Sequence, residues 1–87
     1  MSAAGVVRRY QIEVWDSGDE RLLATGQLFT FTTLGFGHLR TDPDLEEGAY
    51  TLRFPRGGRR LVDITRHQYQ ELLRTVVKRD DEPWVPE

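Results

Sequence analysis

Residues 50–78 read YTLRFPRGGRRLVDITRHQYQELLRTVVK, and this stretch carries the strongest folding signals in the chain. Its first part has two short runs of alternating apolar and polar residues on either side of Pro55-Arg56-Gly57-Gly58. Alternating runs that flank a turn rich in proline and glycine are typical of a β-hairpin. We therefore predict a hairpin over residues 49–64, with an arginine-rich tip.

The second part of this stretch has the pattern of an amphipathic helix. Its apolar residues recur at spacings of three, four, seven and eight, which place them on one helical face. Thr65 lies three residues before Gln68, as in a helix capping box. The pattern predicts a helix from residue 65 to about residue 79. The apolar stripe consists of Tyr69, Leu72, Leu73, Val76 and Val77.

The first third of the chain has two further strand patterns. Residues 6–15 alternate between apolar and polar side chains, and residues 21–33 form a second apolar run after a short polar turn. The apolar positions of the second run change phase near Gly26, which predicts a β-bulge there. Because a short turn joins the two strands, we expect them to pair as an antiparallel hairpin.

A connection of fifteen residues, 34–48, separates the two hairpins. Asp42, Pro43 and Gly48 within it have the order of a helix N-cap, a first helical residue and a helix stop, which predicts one helical turn. The predicted fold class is therefore α+β: a four-stranded antiparallel sheet made of two hairpins, with one C-terminal amphipathic helix packed on one face. We expect residues 1–87 to form a single domain, with tails at residues 1–5 and 80–87.

The composition limits the functions open to the chain. It has no cysteine, so thiol catalysis, disulfides and thiolate metal sites are excluded. The net charge is −2, which does not favour general binding to nucleic acid or to an anionic membrane. No apolar run approaches the roughly 20 residues of a membrane-spanning helix, and no signal peptide pattern is present. We expect a cytoplasmic protein that does not bind membranes.

The arginines around the second hairpin are the first candidate site. An arginine fork can bind phosphate or carboxylate through two parallel hydrogen bonds. The alternative is a solvated hairpin whose arginines pair with acidic residues elsewhere in the chain. The tip lacks the interleaved aromatic residues that stack on bases. These candidate partner-binding residues are Arg53, Arg56, Arg59, Arg60 and Arg66.

Three further residues are candidates for partner binding. Phe36 lies between two glycines in the long connection, with His38 beside it, as in a loop that inserts into a partner's pocket. Alternatively, Phe36 folds inward and covers the open end of the sheet. Trp84 lies between two prolines of the tail and is either a recognition anchor or a cover over the sheet edge. Separately, Trp15, Leu23 and Leu61 form an apolar patch on the outer sheet face if that face is not solvated by threonines.

No catalytic or metal-binding set is recognisable. The two histidines, His38 and His67, fall on separate elements, and the two serines, Ser2 and Ser17, fall in a tail and a turn. The acidic residues of 42–47 lack a full calcium-loop pattern, and the preference of helix N-termini for acids accounts for them. We therefore predict no metal, no cofactor and no enzymatic activity.

These observations predict a small non-enzymatic protein-binding module of a regulatory, inhibitor-like or assembly type, which acts through exposed loops. Its expected partner is another protein. The alternatives are a nucleic-acid-binding protein that uses the arginine-rich hairpin at residues 53–66, and a structural component that associates with copies of itself.

Overall fold

The computed structural model describes residues 7–31, 35–66 and 73–79 together with Trp84, and all regular structure in this part is β. Six antiparallel strands close into a barrel in the order β1-β2-β3-β6-β5-β4. The predicted α+β fold, with a four-stranded sheet and a C-terminal helix, is therefore wrong. The strands are β1 (Val7–Asp16), β2 (Leu22–Phe31), β3 (Phe36–Asp42), β4 (Gly48–Arg53), β5 (Arg59–Arg66) and β6 (Arg74–Lys78).

The region of the predicted helix contributes to two strands instead. Residues 65–66 complete β5 and residues 74–78 form β6, while residues 67–72 lie outside the described residues. Val76 is fully buried whereas Val77 faces outward. A strand directs adjacent side chains to opposite faces, whereas a helix would place both valines in one apolar stripe.

Local chemistry and barrel closure together favour the strand. Thr75, Val76 and Val77 are consecutive β-branched residues, whose side chains fit a pleated surface better than a helix. Thr65, the predicted helix cap, donates its hydroxyl proton to the Thr75 carbonyl on β6 at 3.5 Å. β6 pairs with β3 on one side and with β5 on the other, so this short strand closes the barrel.

The predicted connection over residues 34–48 contains β3, a complete strand. Gly37 and Leu39 face inward, and His38 and Arg40 face outward. Leu39 is the only large apolar residue in the inward row of β3, so the alternation is too weak to recognise in the sequence. The predicted helical turn is also absent. Asp42 ends β3, β4 begins at Gly48, and residues 43–47 between them are not helical.

The connection from β3 to β4, which we call the crossover segment (residues 43–47), covers one end of the barrel. β3 and β4 lie three places apart in the ring of six strands, so the segment must cross that end. Leu45 packs against the core, and the Tyr50 hydroxyl donates to the Glu46 carbonyl at 2.8 Å. Arg74, with only 13% of its side chain exposed, donates to the Leu45 carbonyl at 3.3 Å and to Asp44 Oδ2 at 2.5 Å.

The core lies inside the barrel and includes residues from every strand. Ile12 and Val14 of β1, Leu52 of β4, and Val62 and Ile64 of β5 are buried, as the alternation of apolar and polar residues in these strands predicts. The other end of the barrel, at the β4–β5 turn, carries the Tyr10–Phe54 ring pair. Trp84 is also buried in the core; the other residues of the predicted tails lie outside the described residues. The buried apolar residues are Ile12, Val14, Ala24, Leu28, Leu39, Leu52, Phe54, Val62, Ile64, Val76 and Trp84.

The β1–β2 hairpin forms as predicted, but its bulge lies elsewhere. The pairing is continuous through Gly26 and shifts where Val14 pairs with Ala24 and Trp15 pairs with Leu22. Leu23 is therefore the extra residue. Gly26 is required for a different reason: a Cβ atom there would lie 2.0 Å from the Arg40 carbonyl oxygen on β3.

Candidate functional site

The turn between β4 and β5 is shaped by its own backbone. The Phe54 amide donates to the Gly58 carbonyl at 2.8 Å, and the Gly57 amide donates to the Phe54 carbonyl at 3.0 Å. Gly57 has a φ of 92°, a conformation that favours glycine. The turn exposes Arg56 at its tip. Of the five candidate arginines, Arg56 thus occupies the position that the sequence predicts.

Two of the candidate arginines are bound to the barrel's own surface. The Arg53 guanidinium carbon lies 3.7 Å from the centre of the Trp15 ring, and its Nε donates to Asp19 Oδ1 at 2.8 Å. Arg59 Nη1 donates to the other oxygen of the same carboxylate. Asp19 thus bridges two arginines. The alternative of arginines that pair with acidic residues elsewhere in the chain therefore holds for Arg53 and Arg59.

The β1–β2 turn holds Asp19 in this bridging position. The Asp19 amide donates to the Asp16 carbonyl at 2.9 Å, and the Glu20 amide donates to Asp16 Oδ1 at 2.7 Å. The Arg53 hydrogen bond, assisted by the Arg59 bond, holds the pKa of Asp19 below its ordinary value. Reciprocally, the hydrogen bond to Asp19 raises the pKa of Arg53. The carboxylate therefore stays ionised at neutral pH.

The remaining candidate arginines do not form one cluster. Arg60 pairs with Leu52 at the start of β5, whereas Arg66 ends the same strand. At about 3.3 Å per residue, the two are separated by about 20 Å. Arg66 borders a groove beside the crossover segment, next to Arg74 and three acidic residues. The arginine-rich stretch of the sequence is thus divided between the two ends of the barrel.

Phe36 and His38 lie on the outer face of β3 rather than in a loop. Their rings meet edge to face, with centroids 5.9 Å apart and planes at 72°. Phe36 pairs across the sheet with Val77 of β6, and Val77 pairs in turn with Asp63 of β5. Neither predicted alternative, an inserting loop or an inward plug, describes Phe36.

Three exposed apolar side chains lie on the outer faces of three neighbouring strands. We call them the outer patch: Phe36 of β3, Val77 of β6 and Leu61 of β5. Their exposed fractions are 36%, 42% and 39%. The described residues include one other exposed large apolar side chain, Leu22, at the start of β2. Of these three residues, the sequence indicated Leu61 and Phe36 as surface candidates, whereas Val77 matched the apolar stripe of the predicted helix.

A fixed ion pair lies within the outer patch, between Val77 and Leu61, because Asp63 is the cross-strand partner of Val77 and Arg79 lies opposite Leu61. Arg79 donates from Nε to Asp63 Oδ2 at 3.0 Å and from Nη2 to Oδ1 at 2.6 Å. These bonds hold the pKa of Asp63 below its ordinary value and raise the pKa of Arg79. The Arg79 amide donates to the Leu61 carbonyl at 3.3 Å. The ion pair therefore separates Leu61 from Val77 on the outer face.

The two tryptophans are not exposed anchors. Trp84 is buried in the core, and Lys78 Nζ lies 5.4 Å from the centre of its ring. Trp15 is covered by Arg53, and Thr51 separates it from Leu61 across the sheet. The predicted patch of Trp15, Leu23 and Leu61 therefore does not form as one surface.

Within the described ranges, no three histidine, aspartate or glutamate residues are grouped so that they could hold a metal ion. No helix in the same ranges is long and apolar enough to cross a membrane. Comparison with protein-family models, with curated proteins and with solved structures finds no match to this chain.

Proposed function

We propose that this protein is a small protein-binding module whose outer patch contacts another protein. The observation that carries the proposal is that Phe36, Leu61 and Val77, on three neighbouring strands, are three of the four exposed large apolar residues in the described part of the chain. Apolar side chains gathered on one face mark an interaction surface more often than scattered ones do.

The composition of the surrounding surface supports a protein partner. Protein interfaces combine an apolar centre with a polar rim, and aromatic residues are enriched at the centre. The outer patch has an aromatic residue at one side and the Asp63–Arg79 ion pair between Val77 and Leu61. Because both oxygens of Asp63 are already bonded to Arg79, these charged groups are held in one orientation before a partner binds.

Site-specific crosslinking tests the proposal directly. A photoreactive amino acid placed at Val77 in the host should capture one partner protein, whereas the same group at Leu22 should not. Leu22 is the matched control because it is equally apolar and 49% exposed, but lies at the start of β2, outside the outer patch. The captured protein is then purified and titrated with the full chain.

We expect the double substitution Phe36→Ser and Val77→Ser to weaken that complex at least tenfold, which corresponds to about 1.4 kcal/mol. Leu22→Ser should leave the affinity unchanged, and circular dichroism should confirm that all variants remain folded. Unchanged affinity of the double variant would exclude the outer patch as the interface. Capture of a second copy of this chain at Val77 would replace the proposal with self-association.

A further inference from the structure

Four side chains form a square on the outer face of β5 and β6. Val77 of β6 lies opposite Asp63 of β5. Arg79 directly follows β6 and lies opposite Leu61 of β5. The two apolar residues therefore occupy one diagonal of the square, and the two charged residues occupy the other. A protein that covers the apolar residues of this face also covers the ion pair between them.

The ion pair uses only part of its hydrogen-bonding capacity. Arg79 donates to Asp63 from Nε and Nη2, and no hydrogen bond of the described residues uses its Nη1. Each oxygen of Asp63 accepts one of these bonds, although a carboxylate oxygen can accept two. Because the two side chains are 47% and 46% exposed, water solvates the unused donors and acceptors.

A partner that covers the outer patch must replace this water. Charged groups that are buried without compensating hydrogen bonds weaken a complex, whereas complementary charges favour it and fix its register. An entirely apolar surface would leave Nη1 of Arg79 and the remaining lone pairs of Asp63 without hydrogen bonds. A surface with charges of one sign would be attracted by one group and repelled by the other, since the two lie on a diagonal of about 7–8 Å.

We propose that the partner protein carries an ion pair in the reverse direction, with a carboxylate on Arg79 and an arginine or lysine on Asp63, flanked by apolar side chains. This inference rests on the proposed function, because it names the chemistry of the partner that the outer patch binds. The four charges alternate in sign, so each buried group has an opposite charge beside it. The barrel already contains a carboxylate that is shared in this way, since Asp19 accepts hydrogen bonds from Arg53 and Arg59.

A variant with the two signs exchanged tests the proposal, and the probe is the protein captured through Val77. The reversed variant, Asp63→Arg with Arg79→Asp, keeps the net charge and an ion pair within the chain. We expect it to bind the captured protein at least tenfold more weakly than the unaltered chain does. The opposite exchange of the matching acid and base in the captured protein should restore the affinity.

The matched control exchanges an acid and an arginine at the end of the barrel that the crossover segment covers. Glu47 and Arg66 border the same groove there, and no hydrogen bond of the described residues involves either side chain. Glu47→Arg with Arg66→Glu should bind the captured protein as the unaltered chain does. Circular dichroism should confirm that both exchanged variants are folded.

An apolar variant gives a result whose sign depends on the partner, and it decides the matter if the reversed variant does not fold. Asp63→Val with Arg79→Val removes both charges and keeps residues that favour strands. The partner's own ion pair would then face an apolar surface, so we expect binding to weaken at least tenfold. An apolar partner surface predicts the reverse, which is tighter binding.

The substitutions within the outer patch separate this inference from the proposed function. If Phe36→Ser with Val77→Ser leaves binding unchanged, the proposed function fails and the inference fails with it. If that variant binds more weakly, but the reversed or the valine variant binds at least as tightly as the unaltered chain, only the inference is overturned. Association of two copies of this chain would also overturn it, and would be recognised because two reversed copies would still associate.

Discussion

Asp19 links the β1–β2 turn to the β4–β5 hairpin and thereby determines which arginines form ion pairs within the barrel. Its carboxylate accepts hydrogen bonds from Arg53 and Arg59, which lie more than thirty residues further along the chain. It also has a positive φ of 60°, which aspartate and asparagine tolerate better than most residues. A turn residue that looks solvated in the sequence thus serves as a long-range connector.

Replacing Asp19 by asparagine tests this role. Asparagine tolerates the same backbone conformation, so Asp19→Asn removes the charge without strain. Because the pKa of Asp19 is lower in the folded protein, its contribution to the free energy of unfolding is present above the ordinary value of 3.8 and is lost as the pH falls through the folded value. We expect a lower urea midpoint for the variant at pH 7 and no difference from the unaltered chain once the carboxylate is protonated.

The neighbouring substitution Glu20→Gln is the control, since no described hydrogen bond involves the exposed Glu20 side chain. It should leave the urea midpoint unchanged at both pH values. Equal loss of stability in Asp19→Asn at pH 7 and at pH 2 would show that the carboxylate charge is not what links the turn to the hairpin.

The strands differ in how well their sequences predict them. β1, β4 and β5 follow from alternation, because each carries several large apolar residues in its inward row. β3 does not, because its inward row is Gly37, Leu39 and Thr41, where only leucine gives an apolar signal. Its aromatic residue, Phe36, faces outward, so a prediction that buries the aromatic residue would turn the wrong face of the strand inward.

The sequence does not predict β6, for a different reason. The spacing of its apolar residues fits a helix as well as a strand. The preceding Thr65 and Gln68 match the pattern of a helix capping box. The deciding factor is tertiary: Val76 is buried between Gly37 of β3 and Ile64 of β5, its partners on either side. No local pattern contains that information. The division of the arginines between the two barrel ends likewise follows from topology rather than from their sequence clustering.

Substitution of Gly26 tests the close pairing of β2 with β3. Gly26→Ala would place a methyl group 2.0 Å from the Arg40 carbonyl oxygen and 2.8 Å from the Thr41 Cα, so the two strands must separate. Overpacking of this kind costs about 1–3 kcal/mol or more, and we expect the upper end because the obstructing atoms are backbone. The measurement is urea denaturation, or the loss of the folded state.

Gly35→Ala is the matched control, because a Cβ atom there meets nothing within 4 Å. We expect its stability to stay within about 0.5 kcal/mol of the unaltered chain. If Gly26→Ala were equally neutral, β2 and β3 would not approach as closely as the barrel requires.

At the scale of the whole molecule, the charges argue against general nucleic-acid binding. The chain has a net charge of −2, and Asp19 already bonds Arg53 and Arg59. We therefore expect duplex DNA to bind more weakly than about 10⁻⁴ M at physiological salt, the weak limit of non-specific binding. Fluorescence anisotropy at two salt concentrations measures this.

The nucleic-acid alternative predicts the opposite outcome. It requires micromolar affinity, a logarithmic salt dependence of about −0.9 per neutralised phosphate, and loss of that dependence when Arg56, Arg59 and Arg60 are replaced together by alanine. Observation of all three would replace the protein-binding account.

The outer patch depends on the position of β6. The outer patch exists because β6 places Val77 between Phe36 of β3 and the β5 strand that carries Leu61. A chain with a C-terminal helix would not have this surface.

NMR cross-strand contacts test that closure most directly. In isotopically labelled full-length protein, we predict nuclear Overhauser effects that link Val76 to Gly37 on one side and to Ile64 on the other, together with a contact between Thr75 and Thr65. Effects between residues three apart along residues 65–79, without those cross-strand contacts, would indicate the helix and would contradict the account.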